Sequence, residues 1–273
     1  ATEIARLDFP IESIDRVEII RGPMSVIYGN NAFQGVINVV TNAIGQSGPR
    51  ASVSLGSQQS GRLFGRVGTV VDDGFVVLNA GAYQTNGLTG AYADMMGAEQ
   101  LTALSPGMHQ DIDGVVDQRL GSLDLSAEWR GWQANLRYNR RDYGIYAFTP
   151  AFDQGTRIQL DTVHASLGYA HRFSDALGLR ITGIYSAEHY DAYQFDFLRP
   201  ELDGEQLQDS ERWELELDLH WRPTATLDAI AGYRLLHIDG VENQVDIPTL
   251  FDARIRLEPV TTHDLFAQAS WRI

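Results

Sequence analysis

The sequence has no cysteine and, although cationic side chains are present, no lysine; every one of them is arginine. Without cysteine there is no disulfide, no thiolate metal site and no thiol nucleophile. The absence does not fix a compartment. The all-arginine usage reads as compositional bias. Positive charge is also scarce: 21 basic against 36 acidic residues leave a formal charge of −15. No basic stripe exists to neutralise phosphates, which excludes a nucleic-acid partner and a basic docking patch for an anionic membrane surface. No stretch of 18 or more apolar residues occurs, so no transmembrane helix is expected. The first residues, ATEIARLDFPIES, lack the basic start and apolar core of a signal peptide. The expectation is that the true N-terminus lies upstream.

What is present is alternation. WELELDLHW, Trp213 to Trp221, sets Leu215, Leu217 and Leu219 on one side of an extended chain and Glu214, Glu216 and Asp218 on the other. The same period of two recurs along the chain from residue 50 onward. Leu123, Leu125, Ala127 and Trp129 alternate with polar residues, as do Trp132, Ala134, Leu136 and Tyr138, and Leu265, Ala267, Ala269 and Trp271. About ten strands are predicted, near 50–56, 61–72, 74–85, 116–128, 131–143, 157–172, 177–190, 208–222, 226–238 and 261–272. Many run to ~12–15 residues, longer than the usual globular strand.

The predicted connections sort by length. Asp72–Gly74, Arg130–Gly131, Ser174–Ala176 and Pro223–Ala225 are short, whereas 86–115, 144–156, 191–207 and 239–260 are long. Only the link at 56–60 is ambiguous. Short turns on one rim and long loops on the other are the layout of an outer-membrane barrel. A soluble sandwich or barrel is the alternative. Two features weigh against it. The polar face carries Arg137, Arg141, Arg180, Glu188 and Arg234 on strand after strand, and the apolar face carries Trp129, Trp132, Tyr169, Tyr185, Trp213, Trp221 and Trp271 near strand ends. Aromatic girdles of that kind mark a lipid-facing surface. With leucines toward lipid, the tryptophans of WELELDLHW stand roughly 21 Å apart in height, close to the apolar band.

Residues 1–45 are different in kind. Val17–Ile20 reads as a short strand, Gly22-Pro23 starts a helical turn that Gly29 ends, and Gly35–Thr41 reads as a second short strand. The run Arg21-Gly22-Pro23, Ser25, Tyr28-Gly29, Ala32, Gly35-Val36-Ile37-Asn38 and Thr41 resembles the end of the plug domain of TonB-dependent outer-membrane receptors. The resemblance covers residues 1–45 by motif and 46–273 by architecture. It implies a mainly β fold: a transmembrane antiparallel up-and-down β-barrel preceded by the end of a small α/β plug. Barrels of this family have about 22 strands, so the ten predicted here imply part of a larger barrel. The expected structure is an open sheet with unpaired first and last strands.

The resemblance also implies location and partners. The protein is expected in the outer membrane of a Gram-negative bacterium, in contact with lipid. The energy-transducing TonB complex is its expected partner in the full-length protein, through a segment that precedes this chain. The expected activity is active uptake of a scarce ligand such as an iron-siderophore or cobalamin, with no cofactor, no metal site and no catalytic residue.

In similar receptors charged plug residues pair with acidic groups on the inner wall. Glu18, Arg21, Gly22, Pro23, Ser25, Tyr28, Gly29, Gly35 and Asn38 form the plug motif on this basis. Glu128, Glu188, Glu214, Glu216 and Asp218 are the candidate wall partners, with a wet lumen lining as the plain alternative. The glycines are read as backbone devices. His189-x-Asp191 and His237-x-Asp239 fall where strands enter long loops, and a ten-stranded outer-membrane enzyme with a rim site is the second hypothesis. A passive barrel is the third. The long loops, with Tyr92, Met95, Met96, Met108 and His109, are where a ligand is met first.

Overall fold

The computed structural model of the chain describes residues 10–22, 35–41, 48–91, 111–145, 156–197, 199–247 and 251–271. They form two antiparallel sheets. The small one pairs β1 (Ile14–Arg21) with β2 (Gly35–Thr41) and is preceded by a single 3-10 turn at Ile11–Ser13. The large one has 11 strands. Its members are β3 (Arg50–Leu55), β4 (Gly61–Val71), β5 (Gly74–Thr85), β6 (Gln118–Trp129), β7 (Trp132–Ile145), β8 (Thr156–Ser174), β9 (Leu177–Phe197), β10 (Arg199–Trp221), β11 (Leu227–Ile247), β12 (Phe251–Arg256) and β13 (Val260–Trp271).

From β3 to β11 each strand pairs with the next in sequence, as in an up-and-down meander. Among the described residues β3 pairs only with β4 and β13 only with β11. The sheet is therefore open, as the strand count implied. The link at 56–60 falls on the long-loop rim, which completes the alternation of short and long connections.

Strand register follows from the pleat and the turns. Trp129 and Trp132 face each other across a two-residue turn in which Arg130 has φ 48° and Gly131 φ 86°. Positive φ at both positions is the type I′ geometry that matches strand twist. A side chain at Gly131 would place its Cβ 2.5 Å from the Ala170 carbonyl oxygen, so the position also serves a close approach.

The outward face carries two aromatic rows. Toward the short turns, Trp129, Trp132 and Tyr169 lie side by side in register, with Trp221 at the foot of β10 and Trp271 at the foot of β13. Toward the long loops, Tyr185 of β9 pairs with Trp213 of β10, ring centroids 4.3 Å apart. Leu215, Leu217 and Leu219 fill the space between Trp213 and Trp221 on that face. Trp129, Trp132, Trp213 and Trp221 are about half exposed, as amphipathic rings at a lipid interface are.

Three segments differ from expectation. Within 191–207, predicted as a loop, residues 191–197 continue β9 and residues 199–207 belong to β10. Residues 239–247 continue β11, and β12 lies inside the span predicted as the 239–260 loop. These stretches stand beyond the aromatic row, where no lipid holds one face apolar. An apolar–polar alternation has no reason to appear there, so the period that marks a strand in lipid is lost. In the small sheet, β1 begins at Ile14 rather than Val17. The helical turn predicted at Pro23–Gly29 lies outside the described residues.

Candidate functional site

One face of the large sheet is polar and meets the segment that leads into the small sheet. A row of directly opposed residues defines it: Gly81, Ser122, Asn139, Thr162, Glu188 and Ser210, one from each of β5 to β10. By alternation Glu128 lies on this face of β6, and Glu214, Glu216 and Asp218 lie on it in β10. All five carboxylates proposed as wall partners thus share the inner face, and the outward leucines of β10 point the other way.

Hydrogen bonds link the inner face across strands. Asn79 Nδ2 donates to Asp124 Oδ1 at 3.2 Å, and Arg137 Nε and Nη2 donate to Asp124 Oδ2 at 3.1 and 2.8 Å. Asn79 and Asp124 are buried. Ser126 Oγ donates to Asn135 Oδ1 at 3.0 Å, and Asn135 Nδ2 to Ser166 Oγ at 3.3 Å. Glu216 accepts from Arg234 Nε at 2.7 Å, and Glu214 pairs with Arg212 of its own strand. Asp218 stands opposite Arg180 of β9.

The small sheet holds its own charges. Glu18 accepts from Arg16 Nε at 2.7 Å and from Asn38 Nδ2 at 3.0 Å. Those two bonds hold its carboxyl below the usual range. Arg21 ends β1 opposite Gly35 and is exposed, and Gly22 follows with φ +113°, a conformation that suits glycine. Pro23, Ser25, Tyr28 and Gly29 lie outside the described residues.

Contact between the two sheets comes from a place the sequence did not flag. The turn Pro10–Ser13 rests on the inner face of β4–β6. Glu12 Oε1 lies 3.6 Å from Arg62 Nη1, and a Cβ on Gly81 would come within 3.0 Å of Pro10 Cγ. Ser13 is buried, and its backbone N–H and its hydroxyl both donate to the Pro10 carbonyl, at 2.8 and 2.7 Å. Phe64, opposite Gly81, is 1% exposed. A glycine inside a strand is a sign of close backbone approach, and Gly81 was the one legible clue.

At the long-loop rim Arg157 pairs with Asp117 and Asp142 and reaches the Tyr193 hydroxyl at 3.4 Å, while that hydroxyl donates to Asp142 Oδ2 at 3.1 Å. The group ties β7, β8 and β9 to the residue that precedes β6. The segment returning to β6 is anchored there: Ile112 donates to the Gly90 carbonyl at 2.9 Å, and Ile112 and Val115 are buried.

The two His-x-Asp pairs sit apart. His189 Nδ1 is 2.6 Å from Asp209 Oδ1, and His237 Nδ1 is 2.8 Å from Thr261 Oγ1. Asp209 and Trp213 are their respective opposites on β10, about four residue steps or ~13 Å apart along the strand. No shared reacting centre joins them. Among the described residues no group of three or more metal-ligating side chains occurs. Tyr92, Met95, Met96, Met108 and His109 lie outside the described residues.

Comparison with known proteins relates the N-terminal segment to a family and the large sheet to a fold. A family described as TonB-dependent Receptor Plug Domain matches residues 2–36. The iron-regulated outer membrane virulence protein of Vibrio cholerae is 56% identical over 32 residues, 12% of this chain and 5% of that protein. The N-terminal segment is thus similar to the plug of a TonB-dependent receptor. The barrel part agrees in fold. The pyoverdine outer membrane receptor FpvA of Pseudomonas aeruginosa superposes with a TM-score of 0.55 at 12% identity, over 89% of this chain and 38% of that one. The copper transporter OprC does so at 0.58 and 12%, over 95% and 40%. The chain thus spans about 40% of the length of those two structures. The large sheet thus shares the fold of outer-membrane β-barrels, and its polar face is the one that the turn Pro10–Ser13 meets.

Proposed function

We propose that the receptor containing this chain imports a scarce metal complex, an iron-siderophore or a chelate such as cobalamin, through the outer membrane with energy from TonB. The observation that carries this is the plug sequence at residues 2–36 followed directly by barrel strands. A barrel that only leaks, or one that hydrolyses at its rim, has no use for a plug. The names of the relatives point the same way: one is iron-regulated, one binds pyoverdine and one transports copper. The plug is assigned residues 1–45 and the wall residues 46–273. Glu128, Glu188, Glu214, Glu216 and Asp218 then keep the lumen wet and charged, and the plug motif from Glu18 to Asn38 shapes the plug. The chain's part is binding and gating, with no covalent chemistry.

The test is uptake. A strain lacking the full-length receptor is grown in iron-depleted medium and offered a panel of ferric siderophores and cobalamin, with and without TonB. Receptor-dependent, TonB-dependent uptake of one of them supports the proposal. Uptake that is indifferent to TonB for every ligand would overturn it.

A further inference from the structure

We propose that Arg62 and Gly81 form a seat on the lumen wall that fixes the plug at the outer end of the barrel, through Glu12 and Pro10. The inference rests on the reading of the chain as plug plus wall, and its test separates from that of transport.

The position follows from topology. Gly61 opens β4 immediately after the link at 56–60 on the long-loop rim, so Arg62 stands at the outer end of the inner face. Tyr83 is its direct opposite on β5, and the Arg62 guanidinium carbon lies 5.4 Å from that ring centroid. The stacked ring limits the rotamers of a long side chain, which holds the charge toward Glu12 at 3.6 Å. Two residues down β5 from Tyr83, Gly81 leaves a notch. A Cβ there would lie 2.8 Å from Ser122 Oγ on β6 and 3.0 and 3.5 Å from Pro10 Cγ and Cβ, so the serine and the proline ring together occupy the space a side chain would fill. Ser13 closes the same turn back onto Pro10 with two hydrogen bonds, and it is 1% exposed. The turn is therefore closed on itself, apolar at Pro10, acidic at Glu12, and matched by a wall that is notched at Gly81 and basic at Arg62.

This inverts the polarity expected from the sequence, in which plug cations were to meet wall carboxylates. Here the plug offers the acid and the wall the base. The ion pair alone is weak, because Arg62 is partly open to water. The notch and the fixed turn supply the specificity, and the charge pair sets the register. The wall carboxylates Glu214 and Glu216 have arginine partners on the wall itself.

The experiment uses the full-length receptor in outer membranes. This chain has no cysteine, so in a full-length receptor cleared of any other cysteine a Glu12→Cys, Arg62→Cys pair reports proximity through a short bis-maleimide linker that spans the length of the two replaced side chains, with barrel folding checked by heat-modifiable gel mobility. The expected result is a cross-link in the folded receptor, reduced in yield when Gly81→Val is added. In parallel, Glu12→Arg and Arg62→Glu are each expected to raise the entry of a glycopeptide antibiotic too large for diffusion pores, and the double reversal to restore exclusion. Absence of the cross-link in a folded barrel overturns the seat, and so does a double reversal that leaks as much as the single variants. None of these measurements involves TonB. TonB-independent uptake would remove the transport proposal and leave the seat standing.

Discussion

Arg137 on β7 reaches across to β6 and gives two hydrogen bonds to one oxygen of Asp124, whose other oxygen accepts from Asn79 on β5. Three neighbouring strands are joined through one buried carboxylate. Replacing Asp124 by alanine leaves Arg137 without this partner at a site where little water can replace it. The expected loss is about 3 kcal/mol or more, typical of breaking one side of a buried pair. Asp124→Asn keeps the shape and part of the bonding and is expected to lose less. Urea unfolding followed by tryptophan fluorescence in lipid vesicles measures both.

The two faces of β10 predict opposite responses to charge. Leu217→Arg puts a cation on the lipid side between the aromatic rows, with an expected cost of roughly 2–4 kcal/mol. Asp218→Asn, one residue on and facing the lumen, is expected to stay within about 0.5 kcal/mol. Equal losses for the two, in the same unfolding assay, would contradict the assignment of faces.

Gly131→Val tests the type I′ turn. The substituted residue meets the Ala170 carbonyl and takes a positive φ unsuited to a branched side chain. The expected penalty is on the order of 1–3 kcal/mol, seen as slower and less complete barrel folding, with ligand-free permeability unchanged in the fraction that folds.

Asp191 predicts a gain. Its Oδ1 atom is buried without a hydrogen-bond partner, and burial pushes its carboxyl above the usual range despite the opposing influence of His189. A raised folded-state pKa means that ionisation costs stability as pH rises past the unfolded value. Asp191→Asn is therefore expected to raise the unfolding temperature at neutral pH. The advantage should vanish at a pH acidic enough to protonate the carboxyl in both states. A variant less stable than wild type at neutral pH would refute this.

Much of the barrel was legible in the sequence because lipid imposes the alternation. Leu123 to Trp129 and Trp132 to Tyr138 repeat with period two because one face must be apolar and the other faces a wet lumen. Beyond the lipid band the constraint lapses, and residues 191–197 and 199–207 read as loop while folding as strand. The plug contact was hidden for another reason. Glu12 and Arg62 are ordinary surface residues in sequence, and only packing brings them together. Gly81 carried a trace, since a glycine within a strand weakens it unless something approaches closely. Alternation sets Glu128, Glu188, Glu214, Glu216 and Asp218 on one face but says nothing about partners, and Glu214 and Glu216 pair with Arg212 and Arg234 of the same sheet.

The continuation of β9, β10 and β11 beyond Trp213, with β12 paired alongside, lifts the rim on a stiff sheet. Glu205 stands about eight residues above Trp213, some ~27 Å along the strand. Backbone held in a ladder has already lost its conformational freedom, so a partner landing there has little chain left to order. That side of the rim therefore stands as a surface already prepared, its shape set by the ladder.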